Sequence, residues 1–321
     1  MQVLVLGGAG FVGLNVADAF HRHGHAVSVF DRSAPPAGFP VPVRSVVGDV
    51  RDADALRSIL SDGVDVLVLG AAVTAGTARE SRDPDTILSV NLSALPQVLA
   101  LARECGVRRI VNLSSAAVYG ASASRGEPLD ETTPAEPESL YAITKFASER
   151  VGARLAALWG LDFVSLRLSA VFGPWERDTG VRDTLSAPAQ IMSALAEGRP
   201  ALLSRPGERD WIDARDVADA VCAVATASER GTNSVYNVST GTRWSALAFG
   251  GALAGFAPGF VCRLVEAGEA PTIDLHSGFD RPALTTDRLR ADYGWTARFG
   301  MAESAAALFD WHSRHAQAGR S

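Results

Sequence analysis

At 321 residues the chain can bury one large core, or one core with a small lobe beside it. Its 47% apolar and 21% charged residues are ordinary for a soluble globular protein, and a net charge of −6 excludes a broad basic surface for nucleic acid. Cys105, Cys222 and Cys262 lie in apolar surroundings and match no metal or disulfide spacing, so a reducing cytoplasm is expected.

Residues 2–6 form an apolar run closing on glycines. They read as a strand that begins at once, with no signal peptide expected ahead of it. Val12, Val16, Ala19 and Phe20 then recur at helical spacing, and Gly24 ends that helix. Strands are expected at 27–30 and 43–47, separated by a Pro/Gly loop over 33–42, with a helix at 54–60. Residues 64–69 are almost continuously apolar, as in a parallel strand covered on both faces. A long helix over 87–105, bent near Pro96, precedes a strand at 109–113. A second long helix over 139–159 precedes a strand at 163–168.

Repeated strand–helix units of this length imply an α/β fold, a doubly wound parallel (Rossmann) sheet over residues 1–172. After Gly173 the pattern turns irregular, with helices near 187–196 and 213–227 among polar loops. Residues 173–321 therefore read mainly as a small, discontinuous C-terminal substrate lobe, with some segments returning to the Rossmann core. Residues 244–262 carry no charge, but four glycines and Pro258 favour a buried helix-turn-strand over a membrane span. His21, His23 and His25 straddle a helix end and cannot share one face, so no metal is expected.

Gly7, Gly10 and Gly13 form G-x-x-G-x-x-G between the first strand and its helix, with Phe11 and Val12 inside the motif. Glycine allows the tight turn and lets dinucleotide phosphates approach a helix N-terminus. Asp31 ends the second strand, where an acid accepts hydrogen bonds from the adenosine ribose and repels a 2′-phosphate. That favours NAD, although Arg32 follows directly and could soften the preference. Asp49 and Val50 end the third strand, where the acid can reach the adenine amino group. Gly70, Ala71 and Ala72 follow the fourth strand and join this cofactor set.

Tyr141 and Lys145 stand one helical turn apart on one face. A free tyrosine titrates near about 10, too high for a base at neutral pH. A neighbouring ammonium and a positive nicotinamide ring would stabilise its phenolate. Ser115, at the end of the fifth strand, can hydrogen-bond the substrate oxygen. Together these residues can remove a hydroxyl proton while hydride leaves carbon. Lys145 is also the only lysine in the chain.

These motifs come with Asn91, the run from Ser114 to Gly120, Arg167, Val171-Phe172-Gly173-Pro174, Arg209-Asp210-Trp211-Ile212, Asp216-Val217, Tyr236-Asn237-Val238 and Gly294-Trp295. On them the chain resembles the extended short-chain dehydrogenase/reductase family, in its NAD-dependent sugar epimerase/dehydratase group. The resemblance implies that Tyr141 is the base, Lys145 its partner and Ser115 a proton-relay hydroxyl. It places Asn91 with the cofactor, and Thr74, Arg209 and Arg281 with the substrate, Arg209 gripping a diphosphate. It also implies a homodimer formed by pairing the long helices.

The chain departs from the group at several points. The acidic pair that the dehydratases carry after the active-site hydroxyl is Ala116 and Ala117 here, which rejects water elimination and likewise decarboxylation. A strand-end histidine is replaced by Leu69, two sugar-binding asparagines by Ala170 and Leu185, and a late aspartate by Thr285. The loop after Pro174 instead supplies Arg177 and Arg182, which could bind a carboxylate or phosphate. Trp211 reads as core. The leading expectation is a C4 epimerase of a nucleotide sugar or uronate that passes through a keto sugar. The alternative is a dehydrogenase of a small sugar, sugar acid or polyol that releases NADH. A non-enzymatic NAD-sensing module would have no use for Ser115, Tyr141 and Lys145.

Overall fold

Strands β1 (Gln2–Leu6), β2 (Ala26–Asp31), β3 (Arg44–Val47), β4 (Val66–Leu69), β5 (Arg109–Ser115), β6 (Phe163–Leu168) and β7 (Val235–Val238) form one sheet. Their order is β7-β6-β5-β4-β1-β2-β3, and every neighbouring pair is parallel. The computed structural model describes residues 1–318, with side chains as far as His315. The direction of winding reverses between β1 and β4, and such a switch point opens a crevice beyond the strands' carboxyl ends.

Side chains alternate between the two faces of the sheet, and both faces are covered. Val3, Val5, Val29, Val66 and Val68 pack under α1 (Phe11–Arg22) and α6 (Ala214–Thr226). Leu4, Leu6, Leu67, Ile110 and Phe163 pack under α2 (Ala53–Leu60), α3 (Leu95–Glu104) and α4 (Leu140–Trp159). Two-sided burial is why these strands read as apolar runs. β5 continues through Ser115, two residues past its expected end, and this carries the serine hydroxyl into the crevice. Ser139 caps α4 by accepting from the Ala142 N–H at 3.2 Å, which fixes the start of the helix that bears Tyr141.

The helix expected over 87–105 is broken earlier than its proline suggests. A short helix, Pro84–Leu88, leads into a π-turn, Ser89–Ser93, and α3 starts only at Leu95. Pro96 lies in the first turn of α3. Its ring excludes the normal bond to the carbonyl four residues back, at Leu92, so the distortion falls one turn upstream. Residues 84–104 are apolar enough and long enough to cross a bilayer by length and composition, yet here α3 packs against α2 and α4.

The lobe gathers α5 (Ala187–Ala196), α7 (Ala246–Phe256) and α8 (Met301–Ala318) around Phe172, Trp211 and Phe249. Phe172 meets Trp211, Trp244 and Phe249 edge-on. The uncharged 244–262 stretch is α7, leading into a short strand, Cys262–Leu264, that pairs with Ala201–Leu203. β7 and α6 follow Gly173 in sequence but belong to the sheet layer. Among the described residues no three His, Cys, Asp or Glu side chains are grouped to hold a metal. His23 Nδ1 faces the Ala19 carbonyl and His25 packs on Phe20.

Candidate active site

A cleft of about 440 Å3 lies beyond the carboxyl ends of the central strands, between the sheet and the lobe. Its floor is the glycine loop. A Cβ on Gly13 would stand 2.2 Å from the Gly7 carbonyl oxygen, and one on Gly7, where φ is +76°, 2.6 Å from the Ala71 nitrogen. The backbone thus approaches closer than any side chain permits. No side chain caps the first turn of α1 and no acid lies in it, so its N–H groups face the cleft available to an anion. This cradle fits the diphosphate of a dinucleotide. Gly10, Phe11, Val12, Gly70 and Ala72 line the same cleft.

Asp31 ends β2 as expected, and its Oδ2 accepts from the Ala9 N–H at 3.0 Å, tying the glycine loop to the end of that strand. Arg32 beside it is exposed. Just past the end of β3, both carboxylate oxygens of Asp49 accept from Arg51, at 2.9 and 2.6 Å. That ion pair holds Asp49 at about 2. Val50, Ala71 and Asn91 line a small cavity beside Asn112, Lys145 and Ser148. Asn91 braces the backbone there. Its Oδ1 accepts from the Val73 N–H at 2.7 Å, and its Nδ2 donates to the Val73 carbonyl at 3.0 Å and Thr144 Oγ1 at 3.2 Å.

Ser115, Tyr141 and Lys145 come together at the centre of the cleft. Burial is the largest influence on the Tyr141 phenol and raises its pKa. The Ser115 hydroxyl, the Arg182 charge and the Thr74 hydroxyl all oppose that rise. Lys145 is 6% exposed, its Nζ donates to the Leu113 carbonyl at 2.7 Å, and it stands over the Tyr141 ring, 5.8 Å from the centroid. Burial pulls it down to about 8 against the opposing charge of Glu149. Glu149 itself is fully engaged. Arg167 donates to both its oxygens, at 2.9 and 2.7 Å, and Ser114 Oγ donates at 2.5 Å. This buried cluster ties α4, the helix that carries Tyr141 and Lys145, to β5 and β6. Glu149 lies two turns from Tyr141 but on no motif, and sequence reading missed it.

The lobe wall is cationic. Arg182, Arg209 and Arg281 line it, with His276 between them. Arg209 Nη2 donates to Ser277 Oγ at 2.8 Å and to the Leu275 carbonyl at 3.2 Å. Burial pulls Arg209 down to about 10, and the like charges of Arg281, Arg205 and Arg182 add to this. Arg281 Nε and Trp211 Nε1 are buried without a hydrogen-bond partner. Unpaired donors beside crowded cations suit a ligand with a diphosphate. Trp211 is 3% exposed and packs into the lobe core, as read from the sequence, while its edge reaches the cleft. Thr74 lines the cleft beside Tyr141.

Arg177 and Arg182, expected together on substrate, part company. Arg177 Nη2 donates to the Ala9 carbonyl at 3.0 Å, beside the charge of Asp31, which assigns it to the cofactor end. Arg182 turns toward Tyr141 and pairs with buried Glu176 at 2.8 Å. Glu176 and His276 were both missed, and no spacing announces either. His276 sits at φ +64°, and its Nε2, 2.9 Å from the Leu185 carbonyl, must carry the proton. Ala116, Ala117 and Ala170 line the cleft with methyl groups where acids or amides would act. Glu176 offers no free acid, because Arg182, Ser186 N–H and Ser186 Oγ all donate to it.

A family profile described as the NAD dependent epimerase/dehydratase family matches residues 3–239. Among curated relatives, the UDP-glucose 4-epimerase of Mycolicibacterium smegmatis is 28% identical over 331 residues, covering 99% of this chain and 100% of the relative. Among solved structures, the Thermus thermophilus UDP-glucose 4-epimerase complex with NAD superposes with a TM-score of 0.81 at 28% identity, covering 98% and 99% of the two chains. MoeE5 in complex with UDP-glucuronic acid and NAD gives 0.79 at 25% identity, covering 98% and 100%. The glycine cradle, the serine–tyrosine–lysine group and this similarity along the whole chain agree: the protein belongs to the NAD dependent epimerase/dehydratase family.

Proposed function

We propose that the protein interconverts C4 epimers of a nucleotide sugar, a UDP-hexose or UDP-hexuronate, with NAD as cofactor. The observation that carries this reading is the placement of Ser115 and Tyr141 between the glycine cradle and a wall of arginines, with no acid at positions 116 and 117. Relatives named for UDP-glucose support the substrate class.

NAD held by the glycine cradle and the N-terminus of α1 would supply the hydride acceptor and donor for C4. Tyr141 takes the proton of the C4 hydroxyl and returns it to the same oxygen after the sugar has turned over, and Ser115 holds that oxygen in line. Arg209 and Arg281 grip the diphosphate. The methyl groups of Ala116, Ala117 and Ala170 leave the sugar free to present either face. We assign residues 1–172 to the cofactor and catalytic unit and 173–321 mainly to the substrate lobe, with β7 and α6 returning to the sheet. We further propose a homodimer built on α4 and the helix before the π-turn, whose Leu88, Ile143 and Leu158 are 36%, 42% and 57% exposed. A cytoplasmic site accords with three free cysteines.

The reading is tested with purified protein, NAD, and two substrate sets, UDP-hexoses with UDP-hexuronates and free sugar acids. Product NMR and nicotinamide absorbance are followed together. Inverted product without accumulated NADH is expected. Stoichiometric NADH with an oxidised product would assign net dehydrogenation to the same residues.

A further inference from the structure

The Tyr141 phenol is faced from four places. Ser115 at the end of β5 and Thr74 in the loop after β4 bring hydroxyls to it. Lys145, on the same helix, stands at the ring face with its ammonium donated to the Leu113 carbonyl at 2.7 Å. Arg182 brings a positive charge from the loop after Pro174.

That fourth group is built into its place. The Thr74 N–H donates to the Val181 carbonyl at 2.8 Å, and the Asp183 N–H donates to the Thr74 carbonyl at 3.2 Å. Arg182 is thereby held in register opposite Thr74, as an isolated parallel bridge. Two further ties hold the loop. Arg79 Nη1 donates to the Gly180 carbonyl at 2.8 Å, and the Gly76 N–H donates to Asp183 Oδ2 at 2.8 Å. The guanidinium is steered by Glu176, whose side chain is 1% exposed and accepts from Arg182 Nη1 at 2.8 Å. A cation anchored on both its backbone and its head group has little freedom to leave the phenol.

We propose that Arg182 is a second cation of the acid–base group, a positioning residue that stabilises the Tyr141 phenolate from across the cleft while Lys145 does so from the ring face. This rests on the reading of Tyr141 as the base. Two cations are useful because one of them fades. Burial brings Lys145 to about 8, so its charge is lost as pH rises through that value, just where a phenolate is wanted. A guanidinium keeps its charge throughout that range. Glu176 tempers Arg182, and an opposite charge a few ångströms from an ionisable group shifts its equilibrium by about tenfold or more.

The test needs no sugar. In NAD-loaded protein, the ultraviolet tyrosinate band is titrated in wild type, Arg182→Met, Arg182→Lys and Tyr141→Phe. The last variant subtracts the other three of the chain's four tyrosines. Arg182→Met is expected to delay the Tyr141 band by about one pH unit, a tenfold smaller phenolate population at a given pH, with most of the shift recovered in Arg182→Lys. Should the methionine variant fail to fold, Arg182→Gln, which can still donate to Glu176, serves in its place with the same expectation. Identical titrations in wild type and the neutral variants would overturn the proposal. A raised KM with an unmoved titration would overturn it too, by making Arg182 a substrate ligand only. If no sugar in the panel turns over, the titration still stands by itself.

Discussion

The two walls of the cleft are made differently. The sheet wall is built from backbone: glycines at which an added Cβ would fall within 3 Å of neighbouring main chain, a bare helix N-terminus, and the helix of Tyr141 bolted down by Glu149, Arg167 and Ser114. The lobe wall is built from long side chains on irregular segments, with Arg209 crowded by three other arginines and two buried donors unpaired. One wall is held by backbone and a buried ion pair, and the other presents cations to an anionic ligand. The first wall carries Ser115, Tyr141 and Lys145, and the second carries the arginines, Arg182 reaching across to the first.

Substitutions on each side can break or sharpen that contrast. The largest effect is expected for Tyr141→Phe, which should lower kcat by about 100- to 10,000-fold while NAD still binds, checked by product NMR and calorimetry. Gly13→Ala forces a Cβ to within 2.2 Å of the Gly7 carbonyl, and strain of about 3 kcal/mol should weaken NAD binding more than a hundredfold. Calorimetric titration with NAD reads it directly, and unchanged affinity would mean that the cradle can widen. Arg209→Met should raise the Kd for UDP about tenfold, with kcat little altered. Its Tm without ligand should hold or rise, since the substitution relieves crowding among like charges.

The smallest effect concerns Asp210, which supports the lobe wall by accepting from Ser239 Oγ and from the Leu284 N–H at 2.8 Å. Burial lifts it to about 6 from the ordinary 3.8. A carboxyl whose folded value exceeds its unfolded value holds its proton more tightly when folded. Stability therefore falls as pH rises from about 4 to about 6, on the order of 1 kcal/mol per unit. Asp210→Asn should flatten the dependence of Tm on pH across that window.

The same contrast governs what could be read from sequence. The sheet wall was legible because strand–glycine–helix order and one-turn spacing are backbone facts, and Gly7, Gly13, Ser115, Tyr141 and Lys145 lie where that order puts them. The π-turn that carries Asn91, and its bonds to Val73 and Thr144, could not be read from a helical period. Arg177 and Arg182 were placed together because they share a loop. They separate because Arg177 is held by the Ala9 carbonyl while Arg182 is held opposite Thr74 and by Glu176. Glu149 acts through burial and partners 18 and 35 residues away, and Glu176 through burial and an irregular loop that brings Arg182 and Ser186 to it, which only the folded chain displays.

The single lysine has a consequence for handling the protein. Its amine is 6% exposed and bonded to the Leu113 carbonyl, while all other basic side-chain charge apart from histidine is arginine. Amine-reactive dyes, crosslinkers and immobilisation resins will therefore find no accessible lysine along residues 1–321, and chemistry aimed at lysine leaves the surface of both walls untouched.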